Sequence, residues 1–357
     1  MPPYNSYVEL LERIRKARQN SGFTNRTRVS KRELVVLTSY SVSAISNFLL
    51  GGLVPRYDSI VKIVERLGLE SPSKAEYQHL IRNYYPGISP YDLANQSEPM
   101  YQNRKTFRTL KEGHMTEYLI QAQWAEMIEL KKEIHGLAKQ FGRELSVLDI
   151  GVGDGRVPKR LSGIREIWDL ICEYDGIDNS QQVLKSQLFP VQPSGLEDKV
   201  LLFKFDARNL SRWGRKQYDL IVCTYFTAGN FIPPGFSFET GSDGMLKTIP
   251  SLDENPAFQQ VFAEAYKFLI PGGKLILGSV YVDNDATRKR QEEFYQKCGM
   301  TVVTSPNASF TATKEGFWSQ RFTKERIVEY LNFVPRERIE LRPLDTYGFA
   351  SMVTVTR

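Results

Sequence analysis

The chain has 357 residues, 41% of them hydrophobic and 25% charged, a length and balance that suit two folded domains and exclude a mainly disordered or fibrous protein. Its net charge of +6 sits at the front, where residues 1–80 hold 12 Lys/Arg against 7 Asp/Glu, so any attraction to nucleic acid is expected there. No apolar run approaches the ~20 residues of a membrane span, the N-terminus lacks a secretory pattern, and Cys172, Cys223, Cys298 and three scattered histidines give no disulfide or metal spacing, so a cytoplasmic protein with buried free thiols and no metal is expected.

Tyr7, Leu10, Leu11, Ile14 and Ala17 recur at helical spacing and predict a first helix. Ser30 followed by Glu33 has the form of a capping box opening a second helix through Leu34–Leu37. A third runs from Ala44 to Leu49 and stops at Gly51-Gly52, and a fourth places Ile60, Ile63, Val64 and Leu67 on one side before Gly68. This succession over residues 7–69, with Leu34, Ile45, Gly51 and Pro55 in register, resembles the helix-turn-helix of phage-repressor-type DNA-binding domains. It departs from that pattern at Val35, at Leu49 and in a long loop from Phe23 to Val29. The resemblance implies a third helix in the DNA major groove, offering Ser43, Ser46 and Asn47 to bases while Arg28, Lys31 and Arg32 meet phosphates. That helix contains no Arg or Lys and ends in Leu49-Leu50, so homodimerisation or capping of a substrate stands beside DNA binding as its role.

The helical module is placed at 1–83, and a Pro- and Gly-punctuated linker at 84–113, with a basic cluster at Arg104, Lys105 and Arg108. A second domain, 114–357, opens with a long amphipathic helix to Phe141 that counts Tyr118, Trp124, Ile128 and Ile134 among its apolar residues. Short apolar runs then alternate with helical segments: Ser146–Ile150, Tyr174–Asp178, Val200–Asp206, Tyr218–Thr224 and Lys274–Tyr281. Such alternation predicts an α/β, doubly wound, mostly parallel sheet. A helix from Phe258 to Leu269 precedes Pro271-Gly272-Gly273, another starts near Thr323, and two strands without an intervening helix, Arg338–Leu344 and Phe349–Val355, close the chain.

The first strand runs into Asp149-Ile150-Gly151-Val152-Gly153-Asp154-Gly155-Arg156. Three alternate glycines let the backbone turn sharply and come close to a ligand. A dinucleotide fingerprint needs glycine or alanine where Arg156 stands, which weakens a nicotinamide reading. Strand, acidic residue and G-x-G-x-G instead resemble the first motif of class I S-adenosylmethionine-dependent methyltransferases, over about Leu145–Arg357. The resemblance implies a Rossmann-like sheet of seven strands with an antiparallel last strand, and S-adenosylmethionine as cofactor. It also implies that Asp149 helps hold the amino end of the methionine moiety, beside backbone at Gly151, Gly153 and Gly155.

Asp178 ends the second strand, with Asn179 after it, where a carboxylate can accept both ribose hydroxyls. Asp175, earlier on the strand, is the alternative ligand but reads rather as a surface charge. Asp206, followed by Ala207, stands where the family receives the adenine amino group. The fourth strand leads into Thr224, Tyr225 and Phe226 beside the reacting sulfonium, whose charge the two rings can flank.

Two inserts, 228–255 and 282–320, are expected to set specificity. Their aromatics Phe231, Phe236, Phe238, Phe294, Tyr295, Phe317 and Trp318 form a candidate roof over an apolar or planar substrate. Tyr281 joins them, and Asp243, Glu239, Asp283, Tyr281 and His114 are unranked candidates for a base, so no catalytic residue is assigned. The Asx/Ser-Pro-Pro-aromatic motif of nucleic-acid amino methylases is missing after strand four; Pro233-Pro234 comes too late. Thr227-Ala228-Gly229-Asn230-Phe231 faintly resembles the histidine-trimethylating enzymes of ergothioneine biosynthesis, where the matching asparagine binds substrate, which implies such a role for Asn230. The function expected is methyl transfer to a small-molecule acceptor such as an amine, an amino-acid-like compound or a hydroxyl. A DNA-binding regulator that senses S-adenosylmethionine, or a nucleic-acid methyltransferase, is the alternative.

Overall fold

The computed structural model describes residues 3–20, 29–40, 42–50, 55–81, 116–180, 183–184, 199–213, 217–304, 308–346 and 348–357. The expected linker at 84–113, Arg28, His114 and Gly51-Gly52 lie outside the described residues, as do the side chains of Ser43 and Asn47.

Among the described residues five helices open the chain: α1 (Tyr7–Asn20), α2 (Lys31–Thr38), α3 (Val42–Leu50), α4 (Tyr57–Arg66) and α5 (Lys74–Ile81). Ser30 caps α2 by accepting the Glu33 N–H at 3.1 Å. The Glu33 carboxylate pairs with Arg66 on α4, so the reciprocal half of the capping box is used between helices. The fifth helix was not expected; Ser73 and Glu76 cap it reciprocally, and Tyr77 joins the buried core.

The second domain opens with α6 (Glu117–Phe141) and proceeds through β1 (Leu145–Ile150), α7 (Arg156–Ser162), α8 (Arg165–Trp168), β2 (Ile171–Asp178), β3 (Val200–Lys204) and β4 (Tyr218–Cys223). It continues with α9 (Pro256–Lys267), β5 (Leu269–Tyr281), α10 (Asp285–Lys297), the pair β6 (Phe310–Ala312) and β7 (Trp318–Gln320), α11 (Lys324–Tyr330), β8 (Ile339–Pro343) and β9 (Ala350–Thr356). Seven strands form one sheet in the order β3-β2-β1-β4-β5-β9-β8. Its pairs are parallel except where β9 runs antiparallel to β5 and β8, as the reading of the last two strands anticipated. Pro271-Gly272-Gly273 falls inside β5 rather than ahead of it, with the pairing to β4 slipping between Tyr218 and Leu220.

Alternation along the strands divides the core in two. Val147, Tyr174, Leu220, Val222 and Met352 meet Leu119, Leu130, Ile134 and Leu137 of α6. Leu148, Ile150, Ile177, Ile221 and Val353 face the other way, toward Phe258 and Phe262 of α9 and Tyr330 of α11. The buried stripe of α6 differs from the one read in the sequence. Trp124 and Ile128 are exposed, whereas Gln123, Glu126 and Glu133 are buried. Cys172 is also exposed rather than buried.

Between β3 and β4 the described chain makes only a 3-10 turn, Ala207–Arg212. The N-terminal helices pack into the cluster that contains Phe203, Trp213 and Tyr218. Arg56 pairs with Glu173 at 3.0 Å, lies 3.9 Å from Asp175 and sits over the Tyr218 ring. Asp175 is therefore no surface charge. It is fully buried and accepts the Tyr218 hydroxyl at 2.6 Å.

Candidate cofactor and acceptor site

The carboxyl ends of β1, β2 and β4 open onto a cavity of about 770 Å³. At the end of β1, Gly151, Gly153 and Gly155 all have φ between 60° and 78°, a region that side chains with a Cβ seldom enter. A Cβ on Gly151 would strike the Thr227 methyl, while one on Gly153 would meet nothing closer than 3.9 Å, its own loop carbonyl at Gly151 and Val183. The first glycine is therefore forced by the neighbouring turn, and the second leaves open space in the cavity.

The loop is fastened to β2. Ile177 O accepts the N–H groups of Gly151 and Val152 at 2.8 and 3.0 Å, and the Asp178 carboxylate accepts from Gly153 N at 3.0 Å and Ser180 N at 2.8 Å. Asp178 thus shapes the glycine loop while it lines the cavity with Asn179.

Beneath the loop Asp149 is fully buried. One carboxylate oxygen accepts the Tyr174 hydroxyl at 2.6 Å, and the other, Oδ1, has no partner. Burial raises its pKa to about 7, against the pull of Tyr174 and Arg156. A buried carboxylate with an unmet oxygen suits a cationic group supplied by a ligand.

Asp206 and Ala207 also line the cavity. Asp206 caps the 3-10 turn through Arg208 N at 2.9 Å, and the Arg208 guanidinium takes both its oxygens, the shortest contact being 2.6 Å. An adenine amino group would share this carboxylate with Arg208.

After β4, Tyr225 and Phe226 both adopt left-handed backbone, as does Ser279 on β5. Such strain persists only where surroundings enforce it. Here Glu126, from the buried stripe of α6, accepts the Tyr225 N–H at 2.9 Å. A Cβ on Gly278 would run into that carboxylate. Burial raises the Glu126 pKa, and Arg156 draws it back. Arg156 itself lies over the Tyr225 ring at 3.6 Å, so the cation that this ring meets is a guanidinium from α7. Gln123 receives Arg160 at 2.7 Å beside them.

Phe226 stacks on Tyr281, centroids 3.8 Å apart and planes at 14°. Around this slab Asn230, Phe231, Phe294, Tyr295, Phe317 and Trp318 complete the cavity. Gly229 passes so close to Gln320 that a Cβ would meet its carbonyl at 2.7 Å, which brings the turn Thr227–Asn230 against β7. Asn255 ties the same region together, donating to Phe231 O and Gln320 Oε1, each at 3.0 Å. Arg321, fully buried, bonds Asp283, Gln291, Thr311 and the carbonyls of Ala308 and Phe310.

The residues singled out in the sequence for cofactor or substrate line this one cavity except Asp149, beneath it, Gly155, which caps α7, and two of the roof aromatics. Phe236 and Phe238 do not line it; they pack with Phe310 and Trp318 in a small separate core made by the inserts. Of the candidate bases, Asp243 and Glu239 are exposed, Asp283 is paired with Arg321 at 3.1 Å, and Tyr281 is buried with its pKa raised well above normal. Sequence reasoning missed Gln123, Glu126, Arg156 and Arg160. The available signal was Glu126 within the repeat Leu119, Met127, Leu130, Ile134: a carboxylate on an apolar stripe.

Of the residues singled out for DNA, the described ones sit elsewhere. Lys31 and Arg32 are exposed, Lys31 donates to Ser46 at 3.0 Å, and α3 lies against the 3-10 turn Ala207–Arg212. The greasy end of α3, Phe48 and Leu49, is buried.

The strand order and reversed β9 define a Rossmann-like methyltransferase fold, with the glycine loop and Asp178 at its ligand edge. No protein-family model and no curated protein matches the chain in sequence. Among solved structures it is similar to the plantazolicin methyltransferase BamL, in complex with a triazolic desmethylPZN analog and SAH, at 14% identity and TM-score 0.46, over 73% of this chain and 94% of that one. It is also similar to the magnesium protoporphyrin IX methyltransferase of Synechocystis PCC 6803 with bound SAH (11% identity, TM-score 0.43, 74% and 100% covered). A third, the CcbJ methyltransferase of Streptomyces caelestis, shares 14% identity with TM-score 0.40 over 64% and 88%. At such scores the likeness assigns neither ligand nor reaction to this chain. Among the described residues no helix is long and apolar enough to cross a membrane.

Proposed function

We propose that this protein is an S-adenosylmethionine-dependent methyltransferase acting on a small-molecule acceptor. The observation that carries the reading is a single cavity that joins a glycine loop buttressed by Asp178 to an aromatic chamber. When bound, S-adenosylmethionine supplies a methyl group on a sulfonium, already activated for in-line displacement. What remains for the chain is to bind, align and exclude water.

In this reading Asp178 and Asn179 receive the ribose, Asp206 and Ala207 the adenine edge, and the open Oδ1 of Asp149 the ammonium end of the methionine moiety. Backbone at Gly151 and Gly153 lies along the cofactor, with Gly155 allowing the turn into α7. Glu126 fixes the strained turn that sets Thr224, Tyr225 and Phe226 at the junction of the two ends. Phe226, Asn230, Phe231, Tyr281, Phe317 and Trp318 then hold the acceptor and keep water from it.

The reading does not enlist DNA: the helix that would read a groove lies against the catalytic domain. Incubation with methyl-labelled S-adenosylmethionine and a fractionated cell extract is expected to put label into small molecules. Label confined to DNA or RNA, or no labelled product in any fraction, would overturn the proposal.

A further inference from the structure

One short helix brings three cations to the cavity. Arg156, Lys159 and Arg160 of α7 all line it, and the two arginines, both half-buried, stand one helical turn apart on the same face. Their place in the cavity is given by contacts. The Arg156 guanidinium lies 3.6 Å over the Tyr225 ring, the Tyr225 and Phe226 rings are 5.3 Å apart, and Phe226 stacks on Tyr281 at 3.8 Å. These residues line the same cavity, so part of its wall is a chain of three rings that begins at a guanidinium.

Among the described residues neither Arg156 nor Arg160 has an ion-pair partner. Arg160 donates at 2.7 Å to the neutral amide oxygen of Gln123, and Arg156 meets the Tyr225 ring face. Glu126 attracts both through space and Asp149 attracts Arg156, yet each acid accepts its hydrogen bond elsewhere, from the Tyr225 N–H at 2.9 Å and the Tyr174 hydroxyl at 2.6 Å. Burial lowers the Arg160 pKa, and the charge of Arg156 lowers it further. The fold thus holds two like charges side by side, at a cost that an anion meeting both would offset.

Stacking on a ring engages the flat face of a guanidinium and leaves the N–H groups along its edge, where they match the two oxygens of a carboxylate. A phosphate would bring about two negative charges within range of the buried Glu126 and Asp149, whereas a carboxylate brings one.

We infer that Arg156 and Arg160 together receive a carboxylate from a ligand in this cavity. The choice of carrier rests on the methyltransferase reading, which offers two: the cofactor, through its methionine end, and the acceptor, as an acid whose apolar body lies along the rings. The recognition is the same for both, charge-assisted N–H donation from two guanidiniums to one carboxylate.

The test compares the full chain with Arg156→Gln, Arg160→Gln and the double variant by calorimetric titration at pH 8. In the cofactor arm the probes are S-adenosylhomocysteine and its decarboxylated analogue, 5′-(3-aminopropylthio)-5′-deoxyadenosine. In the acceptor arm they are benzoate and the neutral benzyl alcohol, added to protein saturated with S-adenosylhomocysteine. Wild type is expected to prefer the carboxylate at least about tenfold in one arm, and the arm that shows the preference identifies the carrier. The double variant should lose that preference while its affinity for the probe without a carboxylate stays within about twofold. No preference in either arm, a preference that survives in the double variant, or an equal loss of both probes of a pair would overturn the inference. Failure of the folded wild type to bind S-adenosylhomocysteine would instead strike the methyltransferase reading, and benzoate against benzyl alcohol on the cofactor-free chain would then test the carboxylate site by itself.

Discussion

At the proposed cofactor end of the cavity the chain presents backbone and carboxylates, namely a glycine loop, Asp178 bonded to it, and Asp149 with one oxygen unmet, whereas the proposed acceptor end presents aromatic faces. The first end is fixed by the sheet itself, since its residues sit where strands stop. The second hangs on inserts with their own small core, held by the buried Arg321. A change at either end is therefore expected to leave the other standing.

The largest expected effect falls on the acceptor end. Arg321→Met removes one member of a buried polar network and should destabilise the fold by about 3 kcal/mol, read as an earlier urea midpoint. Cofactor affinity of the remaining folded protein should stay near wild type; a matching loss there would show that the ends are one unit. Next in size is Glu126→Ala, at the junction between them. It leaves the Tyr225 N–H buried and unpaired, at a cost of about 2 kcal/mol. S-adenosylhomocysteine affinity should fall roughly thirtyfold, and unchanged affinity would remove Glu126 from its positioning role.

The pH dependence sharpens the contrast, because the titrating acid belongs to the cofactor end. With its pKa raised from 3.8 to about 7, Asp149 must lose a proton before it can meet a cation. Affinity for S-adenosylmethionine should fall by up to about tenfold per pH unit below 7. The sign for stability follows from the same shift. Between pH 4 and 7 the folded state holds a proton that the unfolded state has lost, so this group's contribution to stability declines as pH rises through that window. The smallest effect is expected from Arg56→Met, which loosens the N-terminal helices from Glu173 and Asp175. About 1 kcal/mol of stability and faster proteolysis near the module are expected, with cofactor affinity unchanged.

The cofactor end was legible in the sequence because its chemistry is local. Glycines at alternate positions after an apolar strand, and an acid at the next strand's end, mark the loop and its buttress within a few residues. The mostly parallel sheet followed from the same alternation. The acceptor end was legible only as a collection of aromatics. Phe226, Phe317 and Trp318 reach the cavity while Phe236 and Phe238 turn into a satellite core, and no periodicity separates the two groups. The long helix α6 was legible only in part for a related reason, since Ile134 is buried as read. Trp124 and Ile128 look like core yet stand in solvent, while Glu126 and Gln123 point inward because strained turns and Arg160 await them. The docking of the N-terminal helices onto the sheet depends on contacts such as Arg56 with Glu173, more than a hundred residues away, which no local pattern announces.

Calorimetric titration of the folded chain with S-adenosylhomocysteine, alongside Asp178→Ala, tests the central claim most directly. The account predicts one molecule taken up per wild-type chain and binding about a hundredfold weaker in the variant, which loses a charged acceptor and the bond that shapes the glycine loop. No uptake by well-folded wild type, or equal uptake by the variant, would contradict it.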